Sequence, residues 1–205
     1  MPHVDPDLQA TWDERYGAQD RIWSGNPNGA LVTAASDLTP GHVLDVGCGE
    51  GADALWLARR GWQVTALDVS AIALDRAREH AAGAEIAWVH SDLEQAGFAS
   101  GSFDLVSALY PVLPRSDDQR AERLVLDLVA PGGTLLFVHH AGMEDHEPHD
   151  PRFDPKLFVW PAMVADVLDD DWEVLVNGQR PRVIPESGAG AHHVDDLVLM
   201  ARRKA

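Results

Sequence analysis

The feature that most constrains this chain is the spacing Asp45-x-Gly47-x-Gly49-x-Gly51, placed directly after a short apolar run. His42-Val43-Leu44-Asp45-Val46 is β-branched and short, and it stops at the glycines, which is the pattern of a buried strand. Residues without a Cβ let the chain turn tightly and let a ligand approach the backbone. A helix is expected from Ala52 to Arg60, where Leu55, Trp56 and Leu57 stand among alanines, Arg59 and Arg60 occupy the last turn, and Gly61 closes it. A strand, a glycine turn and a helix in immediate succession make a βα unit.

The same grammar repeats. Trp62 to Leu67 reads as a strand ending at Asp68, after which Ser70 caps a helix that runs through Ala82 to Gly83. Strands are expected at Ile86 to His90, Phe103 to Leu109 and Thr134 to His139, with a helix from Asp117 to Val129 and a turn at Pro131-Gly132-Gly133. Near the end, Ala162 to Leu168 reads as helix. Trp172 to Asn177 and Val194 to Ala201 read as strands on either side of a Pro/Gly-rich loop, Pro181 to Ala191, which is either a cover for the site or a connector. The fold class is α/β, a Rossmann-like, doubly wound and mostly parallel sheet. With 205 residues the chain is expected to form one domain: residues 1–40 as N-terminal lid helices, 41–140 as the cofactor-binding core, and 141–205 as an acceptor-side loop with a C-terminal hairpin.

Charge and cysteine count bound the partners. Sixteen Lys and Arg stand against thirty-three Asp and Glu, a net charge of −17 that repels a phosphate backbone, so no nucleic-acid partner is expected. Lys156 and Lys204 are the only lysines, which leaves no polybasic segment for an anionic membrane. The single cysteine, Cys48, excludes an internal disulfide and any zinc site built on several thiols. The first residues carry no basic region followed by an apolar stretch, and the expectation is a cytoplasmic protein without a membrane span.

In parallel α/β sheets the loops at the carboxyl ends of the strands gather on one edge, where ligands bind. Asp68 ends the second strand, where a carboxylate can accept from the vicinal hydroxyls of a ribose; Asp92, past the third, is placed for an adenine amino group. The plainer reading is glycines that only turn and aspartates that only cap helices or face water. Gly47-x-Gly49-x-x-Ala52 also satisfies a dinucleotide fingerprint, so an NAD-dependent oxidoreductase is the rival. Against it stand Asp45, two residues before the glycines, and the short length remaining for a second nucleotide half and a substrate region.

The chain resembles the class I S-adenosylmethionine-dependent methyltransferases. The resemblance rests on Leu44-Asp45-Val46-Gly47-Cys48-Gly49-Glu50-Gly51, Leu67-Asp68-Val69-Ser70, Ser91-Asp92-Leu93, Phe103-Asp104-Leu105-Val106 and Leu128-Val129-Ala130-Pro131-Gly132-Gly133, in the family's order. It implies a seven-stranded sheet with an antiparallel last strand, S-adenosyl-L-methionine as cofactor, and transfer of its methyl group to a nucleophile. It also implies roles: Gly47, Cys48 and Gly49 against the methionine part, Asp45 orienting the loop or the amino group, Asp68 on the ribose, Val69 beside the adenine, Asp92 and Leu93 at its edge, with Gly51 and Ala108 also among the cofactor-binding residues. The segment with Trp12 to Tyr16 and Trp23 to Asn28 is similar to that of tellurite-resistance and thiopurine-type members, which makes Tyr16, Arg21 and Trp23 lid residues; alternatively the aromatic rings simply fill core.

Methyl transfer is an in-line displacement, driven largely by holding the nucleophile near the methyl carbon in a dry pocket. The acceptor wall is expected from Ala108 to Pro114, with Tyr110 as a catalytic candidate, and from the segment after the fifth strand. The Asn/Asp-Pro-Pro-Tyr element of DNA and protein amide methyltransferases is absent there, which favours a small-molecule acceptor. His139 and His140 are candidates to deprotonate or bind it. His146, His149, His192 and His193 follow; their spacings match no metal motif, so no metal is expected, although a metal site and a solvated polar loop are the other readings. A protein that binds the cofactor without turning it over is the remaining alternative.

Overall fold

Three short parallel strands, β1 (His42–Val46), β2 (Gln63–Asp68) and β3 (Ile86–His90), form one half of a seven-stranded sheet in the computed structural model. The structure describes residues 5–144, 147, 151–182 and 193–205. The other half contains β4 (Phe103–Leu109), β5 (Val129–His140), β6 (Trp172–Pro181) and β7 (Asp195–Arg203), and the spatial order is β3-β2-β1-β4-β5-β7-β6. β1 pairs parallel to both β2 and β4, so the strand order reverses there and a crevice opens at the carboxyl ends of β1 and β4. β7 runs antiparallel to β5 and to β6, the arrangement the resemblance implied.

The helices α1 (Pro6–Gly17), α2 (Gly29–Ala35), α3 (Ala52–Arg59), α4 (Ala71–His80), α5 (Arg120–Asp127) and α6 (Pro161–Ala165) cover the sheet. Because strand side chains alternate, each central strand feeds two cores. Leu44, Leu135 and Phe137 pack with α5 and α6 on one face, while Val43, Leu136 and Val138 pack with α2 and α3 on the other. Fully burying a side chain of this size contributes about 1.5–3 kcal/mol. Ser70 caps α4 as its sequence position predicts, its hydroxyl accepting from the Ala73 N–H at 3.1 Å.

Several boundaries differ from the sequence reading. α5 begins at Arg120 rather than Asp117 because Gln119 takes a left-handed conformation, φ 53°, and ends at Asp127 because Val129 pairs with Phe103. The expected turn at 131–133 is instead a bulge within β5, where the register against β4 shifts and Gly132 has φ 79°. β6 extends to Pro181, and most of the loop expected at Pro181 to Ala191 lies outside the described residues, as do His146, His149 and His192. No described helix is long and apolar enough to cross a membrane.

Candidate functional site

A cleft of about 1120 Å³ opens where the sheet order reverses, lined by the glycine loop, the ends of β2 and β3, the N-terminal segment and the loop after β4. Its floor is the turn from Gly47 to Gly49, where the N–H groups of Gly47 and Cys48 both donate to the Leu67 carbonyl, at 2.8 and 3.0 Å. Gly49 has φ 52°, and a Cβ there would lie 2.9 Å from the Tyr16 hydroxyl and 3.2 Å from Trp23 Nε1, so only glycine lets the aromatic pair close over the loop.

Carboxylates gather behind this loop. Asp68 accepts from the Gly49 N–H at 2.7 Å and the Ser70 N–H at 2.8 Å, which uses two of the roughly four acceptor directions of a carboxylate. Burial pushes its carboxyl up to about 6. Asp45, 2% exposed, is pushed well above the usual carboxylate range by burial and then by Asp53 and Asp68. Its Oδ2 is buried without a hydrogen-bond partner, and the residue is one of those lining the cleft. Asp53 accepts from both the backbone N–H and the side-chain amide of Asn28, each at 2.7 Å.

The N-terminal segment is tied down through such carboxylates. Glu50, 5% exposed, accepts from the Ile22 and Trp23 N–H groups and pairs with Arg76 at 3.0 Å. The same guanidinium donates to the Tyr16 and Gln19 carbonyls, while Asp13 accepts from the Ser70 hydroxyl at 2.6 Å. Tyr16, buried and held as neutral phenol by that burial, accepts from Trp23 Nε1 at 2.9 Å. Arg21 is exposed at the mouth, its guanidinium lying in the space left by Gly25.

The opposite wall is built from four elements. Tyr110, directly after β4, has φ 53° and is held by its N–H donating to the Val138 carbonyl at 2.8 Å. Its hydroxyl donates to Asp196 Oδ2 at 2.9 Å and accepts from Arg182 Nε at 3.2 Å. His140 lies opposite Asp196 in the β5–β7 register, and His140 Nδ1 meets Asp196 Oδ1 at 3.1 Å. The His140 ring stacks between Tyr110 and His193, with centroids 4.0 and 4.1 Å away. Asp196 is 2% exposed.

The structure therefore brings Tyr16, Arg21, Trp23, Asp45, Gly47, Cys48, Gly49, Asp68, Val69, Asp92, Leu93, Tyr110 and His140 to one cleft. Three expected site residues lie elsewhere. Gly51, φ 82°, faces α4 and β3, where a Cβ would meet Ala77 and Trp88 at 2.9 Å. Ala108 is fully buried in the core on the α5 side. His139 points to the face opposite His140, against Trp160 at 4.4 Å, and burial drives its imidazole down to about 3, which keeps it neutral. Asp92 lines the cleft, yet its oxygens already accept from Gln95 and from the Asp5 N–H. Sequence reasoning passed over Glu50, Asp53, Arg182, His193 and Asp196 as site residues. Glu50 and Asp53 were visible as acids inside or just after the glycine run, and Asp196 as an acid entering an apolar strand.

An S-adenosylmethionine molecule fits these residues. Its ammonium is the donor that the partnerless Asp45 Oδ2 calls for, and its net positive charge suits a floor made of buried carboxylates. Residues 43–133 match the family model described as a methyltransferase domain. An uncharacterized methyltransferase of Mycobacterium tuberculosis is 40% identical over 120 residues, 58% of this chain and 61% of that one, so the chain spans about three fifths of the length of that relative. The ubiquinone biosynthesis O-methyltransferase of Escherichia coli is 35% identical over 112 residues, 53% of this chain and 47% of the relative. The solved structure of the N-methyltransferase NodS from Bradyrhizobium japonicum, in complex with S-adenosyl-L-homocysteine, superposes with a TM-score of 0.70 at 22% identity over 97% of this chain and all of that one. Residues 43–133, which carry the glycine loop and carboxylate floor described above, thus match a methyltransferase domain, and the chain is similar in sequence to methyltransferases and in fold to the solved N-methyltransferase.

Proposed function

We propose that this protein transfers a methyl group from S-adenosylmethionine to a small-molecule nucleophile. The observation that carries the reading is Asp45: a buried carboxylate among the residues lining the cleft, backed by Asp53 and Asp68, with its Oδ2 unpartnered. Such a floor attracts a cation and repels the pyrophosphate of a nicotinamide dinucleotide. When bound, the cofactor supplies an electrophilic methyl group on a sulfonium sulfur. Asp45 and the backbone of Gly47 to Gly49 would hold its methionine part, Asp68 its ribose, and Val69, Asp92 and Leu93 its adenine. Tyr16 and Trp23, fixed by Glu50 and Arg76, cover the loop and exclude water. Tyr110, His140, Arg182 and His193 form the wall where the acceptor would sit. The charge of −17 supports a small acceptor over a nucleic acid.

Calorimetric titration with S-adenosylhomocysteine and with NADH checks the cofactor. Micromolar binding of the first and none of the second is expected, and binding of NADH alone would overturn the reading. Release of S-adenosylhomocysteine in the presence of small phenols, alcohols, thiols or amines separates turnover from binding without chemistry.

A further inference from the structure

The acceptor wall carries more than a binding surface. Antiparallel register sets His140 and Asp196 directly across from each other, on one face of the sheet, and the two side chains meet at 3.1 Å. Asp196 is buried, and both its oxygens are engaged, Oδ1 by His140 and Oδ2 by the Tyr110 hydroxyl. A buried carboxylate accepts and does not donate, so its contact places the His140 proton on Nδ1 and leaves proton transfer to Nε2. Tyr110 reaches this position only in a left-handed conformation, φ 53°, which costs a non-glycine residue on the order of 1 kcal/mol and persists where the surroundings demand it.

Resting on the methyl-transfer reading above, we infer that His140, positioned by Asp196, takes the proton of a neutral hydroxyl or thiol acceptor as that oxygen or sulfur is methylated. The O–H or S–H bond breaks toward Nε2, and its electron pair forms the new bond to the methyl carbon. The carbon–sulfonium pair returns to sulfur, which leaves as a neutral thioether. The imidazolium produced is balanced by Asp196. Among the described residues, the other charged or titratable groups around the ring are Tyr110 from the β4 loop, Arg182 after β6, His193 before β7 and the neighbouring His139. The Arg182 guanidinium lies 3.7 Å from the Asp196 carboxylate. Tyr110 serves as a positioning residue, because burial and Asp196 hold its phenol protonated.

Two measurements test this. In the protein saturated with S-adenosylhomocysteine, nitrogen-detected NMR of the imidazoles is expected to show His140 as the Nδ1–H tautomer, and Asp196→Asn is expected to lose that tautomer and lower the His140 titration midpoint. An Nε2–H tautomer in the wild type would overturn the assignment. In the second, S-adenosylhomocysteine release is followed with catechol and 2-mercaptoethanol as hydroxyl and thiol probes and benzylamine as an amine. His140→Ala is expected to lower kcat by about 10²-fold or more, with KM and cofactor Kd within about twofold. Asp196→Asn is expected to give a smaller loss of kcat and a shifted acidic limb of the pH profile. His140→Gln, which keeps a donor toward Asp196, guards against a variant that merely fails to fold. Equal turnover in wild type and both variants, loss confined to KM, or turnover of benzylamine alone overturns the proposal. Cofactor binding without release from any probe overturns the methyl-transfer reading with it.

Discussion

The two ends of the cleft are built differently. At the cofactor end, most of the floor comes from one continuous stretch, Asp45 to Asp53, joined by Asp68 at the end of the neighbouring parallel strand. At the proposed acceptor end, Tyr110, His140, Arg182, His193 and Asp196 come from strands β4 to β7 and their loops, and the interacting pairs Tyr110–Asp196 and His140–Asp196 are far apart in sequence. The first end keeps one buried carboxylate oxygen, Asp45 Oδ2, without a hydrogen-bond partner; the second is a network of contacts around one carboxylate, Asp196. One end of the cleft is thus built from a local motif, while the other depends on long-range register.

Predictions that break this contrast can be ranked by size. The largest effect is expected for Glu50→Ala, which removes the carboxylate that neutralises Arg76 and leaves the Ile22 and Trp23 N–H groups without their acceptor. Removing one partner of a buried pair costs about 3–5 kcal/mol, so urea unfolding is expected to lose about that much, with hydrogen exchange rising first in residues 16–23. Next is Asp45→Asn. It removes a charge-assisted contact worth about 1.5–3 kcal/mol, so S-adenosylhomocysteine affinity is expected to fall roughly tenfold to a hundredfold. The same change relieves a partnerless buried carboxylate and is expected to raise the melting temperature of the free protein.

A smaller effect is expected from pH. Asp68 is held at about 6, against about 3.9 in an unfolded chain, and Asp45 is shifted in the same direction, so the folded state binds more protons between those values. This contribution to stability is present below pH 4 and is lost as pH rises through 6. A ligand ammonium group held at Asp45 reverses the shift there. The rise in melting temperature produced by S-adenosylhomocysteine is therefore expected to be greater at pH 7.5 than at pH 5, and an equal rise at both would remove the carboxylate floor from cofactor binding. The smallest effect is expected for His139→Gln, because His139 faces Trp160 and lies off the cleft; turnover within about twofold of wild type contrasts with the loss expected for His140→Ala.

The first half of the sheet was legible because its signals are local. A β-branched run, a glycine turn and a capped helix follow one another in β1, α3, β2 and α4, and each boundary is set by a residue whose backbone or side chain acts on its immediate neighbours. His139 and His140 were indistinguishable in that reading. Adjacent strand residues point to opposite faces, and which face meets the cleft depends on what packs against each. Gly51 looked like part of the ligand turn, but its missing Cβ serves the approach of α4 and of Trp88 in β3.

The sequence by itself determined the α/β order and the glycine turn, because these follow from propensity and turn chemistry within a few residues. Only the tertiary structure decided that Glu50 and Arg76 hold the N-terminal segment over the loop, and that Asp196 stands opposite His140 rather than His139. Those contacts join residues 26 and 56 positions apart, and their partners are fixed by strand register and burial, which no local pattern encodes.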